Sequence, residues 1–307
     1  MTSVRKNSIH GYDHVYQITV DRGICFYSAA DCLVWFTLLC VLARKYGVRI
    51  LSLCIMLNHY HIQIWARSPE ILSSFMRDLT AQFTRMYNRQ YKCSGRLFLG
   101  QFSNAPKNKG QKIQDNYIYI CNNPVVKHAV DRAERYRWNF LAYMDNRNPF
   151  SDPVDPEEMS EPLQQAFAAV RMRRRAGHPV DYLFFGGVYS RLSDKERRQV
   201  LDYIVVQYNV IDYGEAMRKW GDYRAICTML ATVAGSEYDL AEEQVREDYR
   251  HYYKMMRLAY AEGYDLSRVR LSRLSLYEQH RLANLFCEKA GATPVENAKF
   301  LHAAFLV

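Results

Sequence analysis

The sequence predicts an α+β fold in which a ferredoxin-like antiparallel sheet with helices is followed by an all-helical C-terminal region. Three observations support this prediction. The elements predicted before residue 125 follow the order strand, helix, strand, strand, helix, strand, helix. The link between the second and third strands is tight, which makes those strands antiparallel neighbours. Beyond residue 162 almost every periodic segment is helical.

The first strand and the first helix are predicted from residue type and from capping signals. Residues 15–20 contain Tyr, Ile, Thr and Val, which favour strands. Ser28, with Asp31 three residues later, resembles a capping box that begins a strongly apolar helix. Gly47 ends that helix.

The following segments predict a pair of strands. Residues 48–56 are β-branched and apolar, as in a buried strand. After a short turn at Asn58, residues 59–66 alternate as a strand does.

An amphipathic helix is predicted next, starting at Ser68 and Pro69. Its apolar stripe consists of residues spaced by three and four, namely Leu72, Phe75, Leu79, Phe83 and Met86. A neighbouring row carries Arg77, Arg85 and Arg89. This row fits either a solvated basic face or a track of contacts to nucleic-acid phosphates.

The end of the first half predicts one more strand and one more helix. Residues 96–102 predict the fourth strand, followed by a basic loop that contains Lys107, Lys109 and Lys112. Residues 113–122 predict a helix that ends at Asn123 and Pro124, because proline disfavours helical backbone in the residue before it.

Composition divides the chain into a domain at residues 1–150, a linker at 151–162 and a helical domain at 163–307. The linker is rich in Pro, Asp, Glu and Ser and has no periodicity. Near the end, Gly291 separates two short helices, the second of which begins at Thr293. This arrangement fits a helix-turn-helix and fits an ordinary helical hairpin at least as well.

Charge is distributed unequally between the two halves. The chain has 41 Lys and Arg against 32 Asp and Glu, a net charge of +9. Residues 1–150 hold 20 basic and 9 acidic side chains, a net of +11, whereas residues 151–307 hold 21 and 23, a net of −2. The excess positive charge of the first half predicts a polyanionic partner.

The remaining composition bounds the class of protein. An apolar content of 49% with 24 tyrosines excludes a disordered or low-complexity chain. The eight cysteines form no C-x-x-C pair, so a zinc ribbon is not expected. The longest apolar run is too short to cross a bilayer, which takes about 20 residues. We therefore expect a soluble cytoplasmic protein with no membrane partner.

The segment from His59 to Trp65 carries the first candidate for chemistry. On a strand, His59, His61, Gln63 and Trp65 share one face, and the other face is apolar. Two imidazoles two residues apart on a strand can bind one cation. By itself the pattern is weak evidence for a metal site.

The second candidate lies in the helix predicted from residue 113. Tyr119 and Asn123 are four residues apart, which places them on one face of a helix. A tyrosine, whose ordinary pKa is about 10, acts as a nucleophile only where its target is polarised and aligned. Taken alone, Tyr119 is better explained as one of 24 tyrosines that packs by its ring.

These residues carry a resemblance to a known family. The segment from Met56 to His61 resembles the Met-x-Asn-His-x-His signature of the single-tyrosine HUH transposases, in particular the REP-associated tyrosine transposases. Residues 95–102 resemble the Gly-x-Leu-Trp-Gln-x-Arg-Phe segment of that family. Residues 119–125 match its Tyr-Ile-x-x-Asn-Pro-Val segment, and residues 135–139 resemble its Tyr-x-Trp-Ser segment. The similarity covers about residues 10–145.

The resemblance implies a role for each matching residue in an HUH-type catalytic domain at residues 1–150. His59, His61 and Asn123 would bind a divalent metal, Mg²⁺ or Mn²⁺, and Tyr119 would be the nucleophile. Tyr117 is an alternative nucleophile, which the spacing to the Asn-Pro pair disfavours. Leu99 and Gln101 stand where the family has Gln and Arg. A polar contact near the site is therefore in doubt.

The implied activity is cleavage and rejoining of hairpin-bearing single-stranded DNA through a 5′-phosphotyrosine intermediate. The basic side chains expected to bind this DNA are Arg77, Arg85, Arg89, Arg96, Lys107, Lys109 and Lys112. Two alternatives remain open from the sequence: a domesticated single-stranded nucleic-acid-binding protein without catalysis, and a metallohydrolase that uses water. The oligomeric state, monomer or homodimer, is left open.

Overall fold

The computed structural model describes residues 11–108, 110–232 and 248–303, and within these ranges four antiparallel strands form a sheet in the order β2, β3, β1, β4. The strands are β1 (Tyr12–Ile18), β2 (Arg49–Ile55), β3 (His59–Trp65) and β4 (Ser103–Lys107). Helix α1 (Ala29–Tyr46) connects β1 to β2, and α2 (Pro69–Gln90) connects β3 to β4. This order and connectivity define a ferredoxin-like sheet, so the predicted α+β class is confirmed.

Helices account for most of the chain after β4. They are α3 (Gly110–Val126), α4 (Glu161–Arg175), α5 (Tyr182–Gly186), α6 (Asp194–Tyr208), α7 (Tyr213–Trp220), α8 (Tyr223–Thr232), α9 (Tyr249–Ala261), α10 (Leu276–Ala290) and α11 (Pro294–Leu301). Short 3₁₀ turns occur at Val20–Arg22, Ala133–Arg135, Arg137–Asn139, Leu141–Met144, Val188–Arg191 and Leu271–Arg273. The predicted helical C-terminal region is confirmed.

One face of the sheet packs on α1 and α2 and forms the main apolar core. Val15 of β1 and Tyr60, Ile62 and Ile64 of β3 point into this core and are fully buried. The capping box of α1 is present, since the Ser28 side chain accepts from the Asp31 N–H and the Asp31 carboxylate accepts from the Ser28 N–H. The capping predictions for both helices and the apolar stripe predicted for α2 are confirmed.

The other face of the sheet is covered by α3. Gln63 on β3 donates its side-chain N–H to the carbonyl of Ile113 at 2.8 Å, and the Ser52 hydroxyl of β2 donates to the Gln63 carbonyl oxygen at 3.2 Å. These bonds attach the first turn of α3 to β2 and β3. The chemistry-bearing face of β3 is therefore enclosed between the sheet and α3.

Two predicted boundaries in this region are wrong. The fourth strand is not at residues 96–102, because Gly95 and Gly100 have positive φ angles of 91° and 62° that interrupt extended backbone. Within that segment Phe98 makes only an isolated bridge with Thr19, and Lys107, predicted in a loop, lies in β4. The Leu and Phe pattern at residues 97–98 reflects packing, since both side chains are buried.

The second wrong boundary is the end of α3, which continues to Val126 with Pro124 inside the helix. The last turn is closed by the Lys127 N–H, which donates to the Asn123 carbonyl at 3.1 Å. It is also anchored by Asn122, whose side-chain N–H donates to the Leu230 carbonyl at 2.8 Å. Because the helix continues through Asn123, Tyr119 and Asn123 are one true helical turn apart.

The C-terminal helices pack around the sheet domain on several sides. Helices α4 and α6 pack on each other, α6 also packs on α1, and α7 and α8 lie beside β2 and α3. Helices α9, α10 and α11 form a second apolar cluster with Met56, Leu57 and Ile120. Capping boxes begin α6, α10 and α11. The division into two domains joined by a linker stays a prediction. No described helix has the length and apolar content needed to cross a membrane.

Candidate active site

The registers of β1, β2 and β3 bring a polar layer together under α3. His59 and His61 lie on the face of β3 that alternation predicted, and both side chains are buried. Their ring centroids are 4.9 Å apart. In β1, Tyr16 pairs with His61, and its ring stacks on that imidazole at 5.3 Å with an interplanar angle of 18°.

A third histidine, His14 on β1, joins this pair. Its Nε2 lies 2.9 Å from His61 Nδ1, and its side chain is fully buried. The sequence pattern does not single out His14, which lies one residue before the first predicted strand. The alternation of β1 together with β1–β3 pairing would have identified it, but this register is not readable from the sequence alone.

The hydrogen bonds of the two β3 histidines fix which ring nitrogen faces α3. His59 Nδ1 lies 2.7 Å from Asn58 Oδ1, an oxygen that also accepts from the Tyr249 hydroxyl of α9 at 3.0 Å. Because the Asn58 oxygen can only accept, the N–H of His59 is at Nδ1. The Asn123 amide nitrogen beside His61 Nε2 places the N–H of His61 at Nδ1, from which it donates to His14. In these tautomers each Nε2 carries a lone pair, and the Asn123 side-chain N–H donates to that of His61.

Asn123 lies on α3 directly over these nitrogens. Its side-chain Nδ2 is 3.3 Å from His61 Nε2. Its Oδ1 and the Nε2 of His59 are both buried, and neither has a hydrogen-bond partner among the residues that the structure describes. Asn123 Oδ1, His59 Nε2 and His61 Nε2 each carry a lone pair. Together they form a set of ligands that one cation would satisfy.

Tyr119 completes the arrangement one turn before Asn123. Its ring centroid is 5.4 Å from that of His61 and 5.7 Å from that of His14, and the side chain is partly exposed. Tyr117, the alternative nucleophile, points elsewhere: it is buried and packs against Trp220 at 4.4 Å. Burial also raises the pKa of Tyr117 well above its ordinary value.

Burial keeps both β3 imidazoles neutral. It lowers the pKa of His59 to about 3, with the charge of Lys127 acting in the same direction. The pKa of His61 is lowered well below its ordinary value, first by burial and then by the neighbouring His59, His14 and Lys127. Neutral imidazole is the form that binds metals. Lys127, together with Arg22 near His59, is a basic group beside the site that the sequence did not single out.

An open cleft of about 370 Å³ borders the polar layer between β1 and β4. Its lining includes Tyr16, which stacks on His61, and Arg22 of the following 3₁₀ turn. Leu99 and Gln101, the two positions that depart from the family pattern, also line it. The departures therefore lie at a surface that a substrate approaching Tyr16 and His61 would contact.

The predicted DNA-binding residues occupy several places. Arg77, Arg85 and Arg89 are exposed on α2, on the opposite side of the sheet from the histidines. Arg96 and Lys112 are exposed, in the loop before β4 and in the first turn of α3. Lys107 lies in β4 and is only 3% exposed, so its prediction as part of a basic loop is wrong. Lys109 lies outside the described residues.

The geometry thus gathers His59, His61, Asn123 and Tyr119 into one site, although two of them come from β3 and two from α3. In the ranges that the structure covers, no group of three or more His, Cys, Asp and Glu side chains is arranged to hold a metal. The set described above differs because its third member is an amide oxygen, that of Asn123.

Comparison with known proteins supports the resemblance inferred from the motifs. The model of the family described as IS200-like transposases matches residues 14–109, from β1 to the end of the β4 region. The predicted resemblance to the single-tyrosine transposases is confirmed over this segment, which holds both β3 histidines and precedes Tyr119.

The fold also resembles a solved structure, that of a REP-associated tyrosine transposase bound to a REP hairpin. The two chains are 15% identical, with a TM-score of 0.41 over 52% of this chain and 96% of the other. No protein of curated function matches the chain.

Proposed function

We propose that the protein is a metal-dependent tyrosine transposase that cleaves and rejoins hairpin-bearing single-stranded DNA. The observation that carries this proposal is the convergence of Tyr119 with His59, His61 and Asn123 in a buried polar layer. A protein that only binds nucleic acid has no use for two neutral imidazoles and an amide oxygen enclosed beside a partly exposed tyrosine. The family match over residues 14–109 supports the same class of activity.

His59, His61 and Asn123 would hold the divalent metal, through the two Nε2 atoms and the amide oxygen. Both Nε2 atoms are oriented by the hydrogen bonds that their Nδ1 atoms make to Asn58 and His14. Mg²⁺ and Mn²⁺ both accept oxygen ligands, and imidazole ligands favour Mn²⁺. When bound, the metal would polarise a phosphate oxygen of the DNA and so make the phosphorus more electrophilic.

Tyr119 would supply the nucleophile. A bond forms between its phenolic oxygen and the phosphorus as the bond from phosphorus to the 3′ oxygen breaks. The phenolic proton is lost, and the leaving 3′ oxygen gains a proton to become a free 3′-OH. The resulting 5′-phosphotyrosine link retains the energy of the broken ester, so a 3′-OH can attack it and rejoin strands without a nucleotide cofactor.

The surroundings of the site fit a polyanionic, unpaired substrate. Lys127 and Arg22 place positive charge near the histidines, where the phosphate undergoing transfer would lie. The cleft between β1 and β4 presents the Tyr16 ring, and aromatic rings are common stacking partners of unpaired bases. Exposed Arg96 and Lys112 would add contacts to the DNA backbone.

A covalent-adduct assay tests the proposal. Labelled single-stranded hairpin DNA from sequences that flank the gene is incubated with Mn²⁺, Mg²⁺ or EDTA and then separated under denaturing conditions. Wild type is compared with Tyr119→Phe and with the matched control Tyr117→Phe. A metal-dependent protein–DNA band that only Tyr119→Phe loses is expected.

Other outcomes would redirect the assignment. Loss of the band only in Tyr117→Phe would move the nucleophile to the alternative position. Metal-dependent cleavage without a band would indicate a metallohydrolase that uses water. Retardation of several hairpins with neither cleavage nor a band would indicate a binding protein without catalysis.

A further inference from the structure

A groove of about 310 Å³, which we call the seam groove, lies where the end of α2 meets the C-terminal half. Its lining includes four basic side chains, Lys92 beside α2 and Arg268, Arg270 and Arg273 between α9 and α10. These three arginines lie outside the segment that matches the transposase family. The seam groove therefore belongs to the part of the chain to which the motifs assign no role.

Hydrogen bonds hold the two sides of the seam groove together. The Gln90 side-chain N–H donates to the Ser267 carbonyl at 2.9 Å, and the Arg273 guanidinium donates to the Lys92 carbonyl at 2.5 Å. The Tyr91 hydroxyl, which donates to the Asp31 carboxylate at 2.8 Å, lies 3.2 Å from the Leu266 carbonyl. The arginines of the C-terminal half are thus fixed beside the basic end of α2.

Most of this positive charge has no ion-pair partner among the residues that the structure describes. Arg268 pairs with Asp265, with Nε 3.2 Å from the carboxylate oxygen. Among the residues described by the structure, Lys92, Arg270 and Arg273 form no ion pair, and the buried Nε of Arg270 has no hydrogen-bond partner. Arginine and lysine side chains without an ion-pair partner favour binding of an anion such as a phosphate.

The seam groove adjoins the end of α2, and the chain that follows Lys92 leads to the end of β1. Arg85 and Arg89, exposed on the last turns of α2, continue its charge along the helix. The segment after Lys92 returns to the end of β1, where the Val20 N–H donates to the Leu97 carbonyl at 3.0 Å. That end of β1 pairs with His59, whereas α2 and its arginines lie on the opposite side of the sheet from the histidines.

We infer that the seam groove binds the phosphate backbone of the DNA on which the active site acts, so the helical half takes part directly in substrate binding. The inference rests on the proposed function for the identity of the substrate. Four cations from two separate segments fit an extended polyanion better than a single small anion, because together they can contact more than one phosphate.

The test measures binding of a fluorescent hairpin DNA by anisotropy between 50 and 200 mM salt, in EDTA and in a Tyr119→Phe background so that cleavage does not contribute. The exposed pair is replaced in Arg268→Gln/Arg273→Gln and, with charge kept, in Arg268→Lys/Arg273→Lys. Lys195→Gln/Arg198→Gln on α6 removes the same charge from exposed positions outside the seam groove. Thermal unfolding of each variant verifies that it is folded.

We expect the double glutamine variant to lower the slope of log affinity against log salt by about 1.4 to 1.8, the effect of two lost phosphate contacts. The ratio of wild-type to variant affinity should then be about tenfold larger at 50 mM than at 200 mM salt. The double lysine variant should keep most of the slope, and the α6 control should keep all of it. An unchanged slope in the glutamine variant, or an equal loss in the α6 control, would overturn the inference.

The adduct assay on wild type separates this inference from the proposed function. If wild type forms no adduct but the slope depends on Arg268 and Arg273, the seam groove still binds nucleic acid and the proposed chemistry fails. If wild type forms the adduct but the slope does not depend on these residues, the chemistry stands and the seam-groove inference fails.

Discussion

The two faces of β3 are both largely buried and are chemically opposite. Tyr60 and Ile62 point into the apolar core under α1 and α2, where packing is continuous. His59 and His61 point the other way, into a polar layer under α3. One strand therefore contributes to stability through one face and presents candidate chemistry on the other. Burial alone does not distinguish the two roles. They are distinguished by whether the buried polar atoms have hydrogen-bond partners.

The polar layer contains buried polar atoms whose lack of hydrogen bonds lowers the stability of the fold. His59 Nε2 and Asn123 Oδ1 are buried and find no hydrogen-bond partner in the described parts of the chain. Each such atom costs about 1–3 kcal/mol of stability. The apolar face can offset this cost, because burying each large side chain contributes about 1.5–3 kcal/mol. A site that binds a cation explains why the polar atoms are arranged to converge.

Replacement of Tyr119 should have the largest effect. Tyr119→Phe removes the only phenol whose ring lies against His61 and His14 among the described residues, so covalent adduct should fall below detection. The free energy of unfolding should change by less than about 0.5 kcal/mol, because the phenol is partly exposed. Urea unfolding measured beside the adduct assay checks both expectations. A Tyr119→Phe protein that still forms adduct would remove this tyrosine from the mechanism.

The two faces of β3 should respond differently to substitution. Ile62→Ala should lower the free energy of unfolding by about 2–5 kcal/mol, because it leaves a cavity in the core. His59→Leu keeps a similar volume, removes the buried Nε2 and leaves Asn58 Oδ1 its hydrogen bond from Tyr249, so it should change that free energy by less than about 1.5 kcal/mol. Urea unfolding of both variants measures the difference. If His59→Leu proves the more destabilising, the polar layer is a structural network and the comparison fails.

The buried carboxylate of Asp31, on the core side, differs from the polar layer because both of its oxygens accept hydrogen bonds. Asp31 is fully buried and accepts from Tyr91 and Tyr182 at 2.8 Å and from the Ser28 hydroxyl at 2.7 Å. Burial nevertheless raises its pKa from 3.8 to about 6. Between about pH 4 and pH 6 the folded state therefore binds more protons than the unfolded state, and stability falls as the pH rises.

Comparing wild type with Asp31→Asn should reveal this contribution. The difference in free energy of unfolding should favour wild type most near pH 4 and should decline by up to about 3 kcal/mol by pH 7. Urea unfolding across pH 4–8 measures it, with Asp194→Asn, an exposed carboxylate, as the control. A difference that stays constant over this range would show that Asp31 titrates normally.

The parts of the fold that the sequence predicts correctly are those determined by residues close together in the chain. Capping at Ser28 and Ser68 and the alternation of β3 depend on neighbouring residues, and the structure has them as predicted. The position of β4 was predicted wrongly because glycines with positive φ interrupt an apolar run. The continuation of α3 through Pro124 was missed because its last turn is held by a contact to Leu230, far away in the chain.

The residues of the candidate site also fall into those predicted from local spacing and those brought together by distant contacts. The spacing of His59 with His61, and of Tyr119 with Asn123, is local and was visible in the sequence. His14 and Lys127 were missed because their closeness to the histidines depends on the β1–β3 register and on the last turn of α3. Nothing local indicates that Arg268 and Arg273 lie beside Lys92, since that contact joins segments from the two halves of the chain.

Metal binding tests the central claim, that the polar face of β3 and Asn123 form a cation site, most directly. Mn²⁺ titrated into metal-free protein and followed by electron paramagnetic resonance should bind at one site per chain in wild type and in Tyr119→Phe. His59→Leu should lose that site. At a hundred times its Kd, Mn²⁺ should stabilise wild type by about 2.7 kcal/mol and leave His59→Leu unchanged. Equal Mn²⁺ binding by wild type and His59→Leu would contradict the claim.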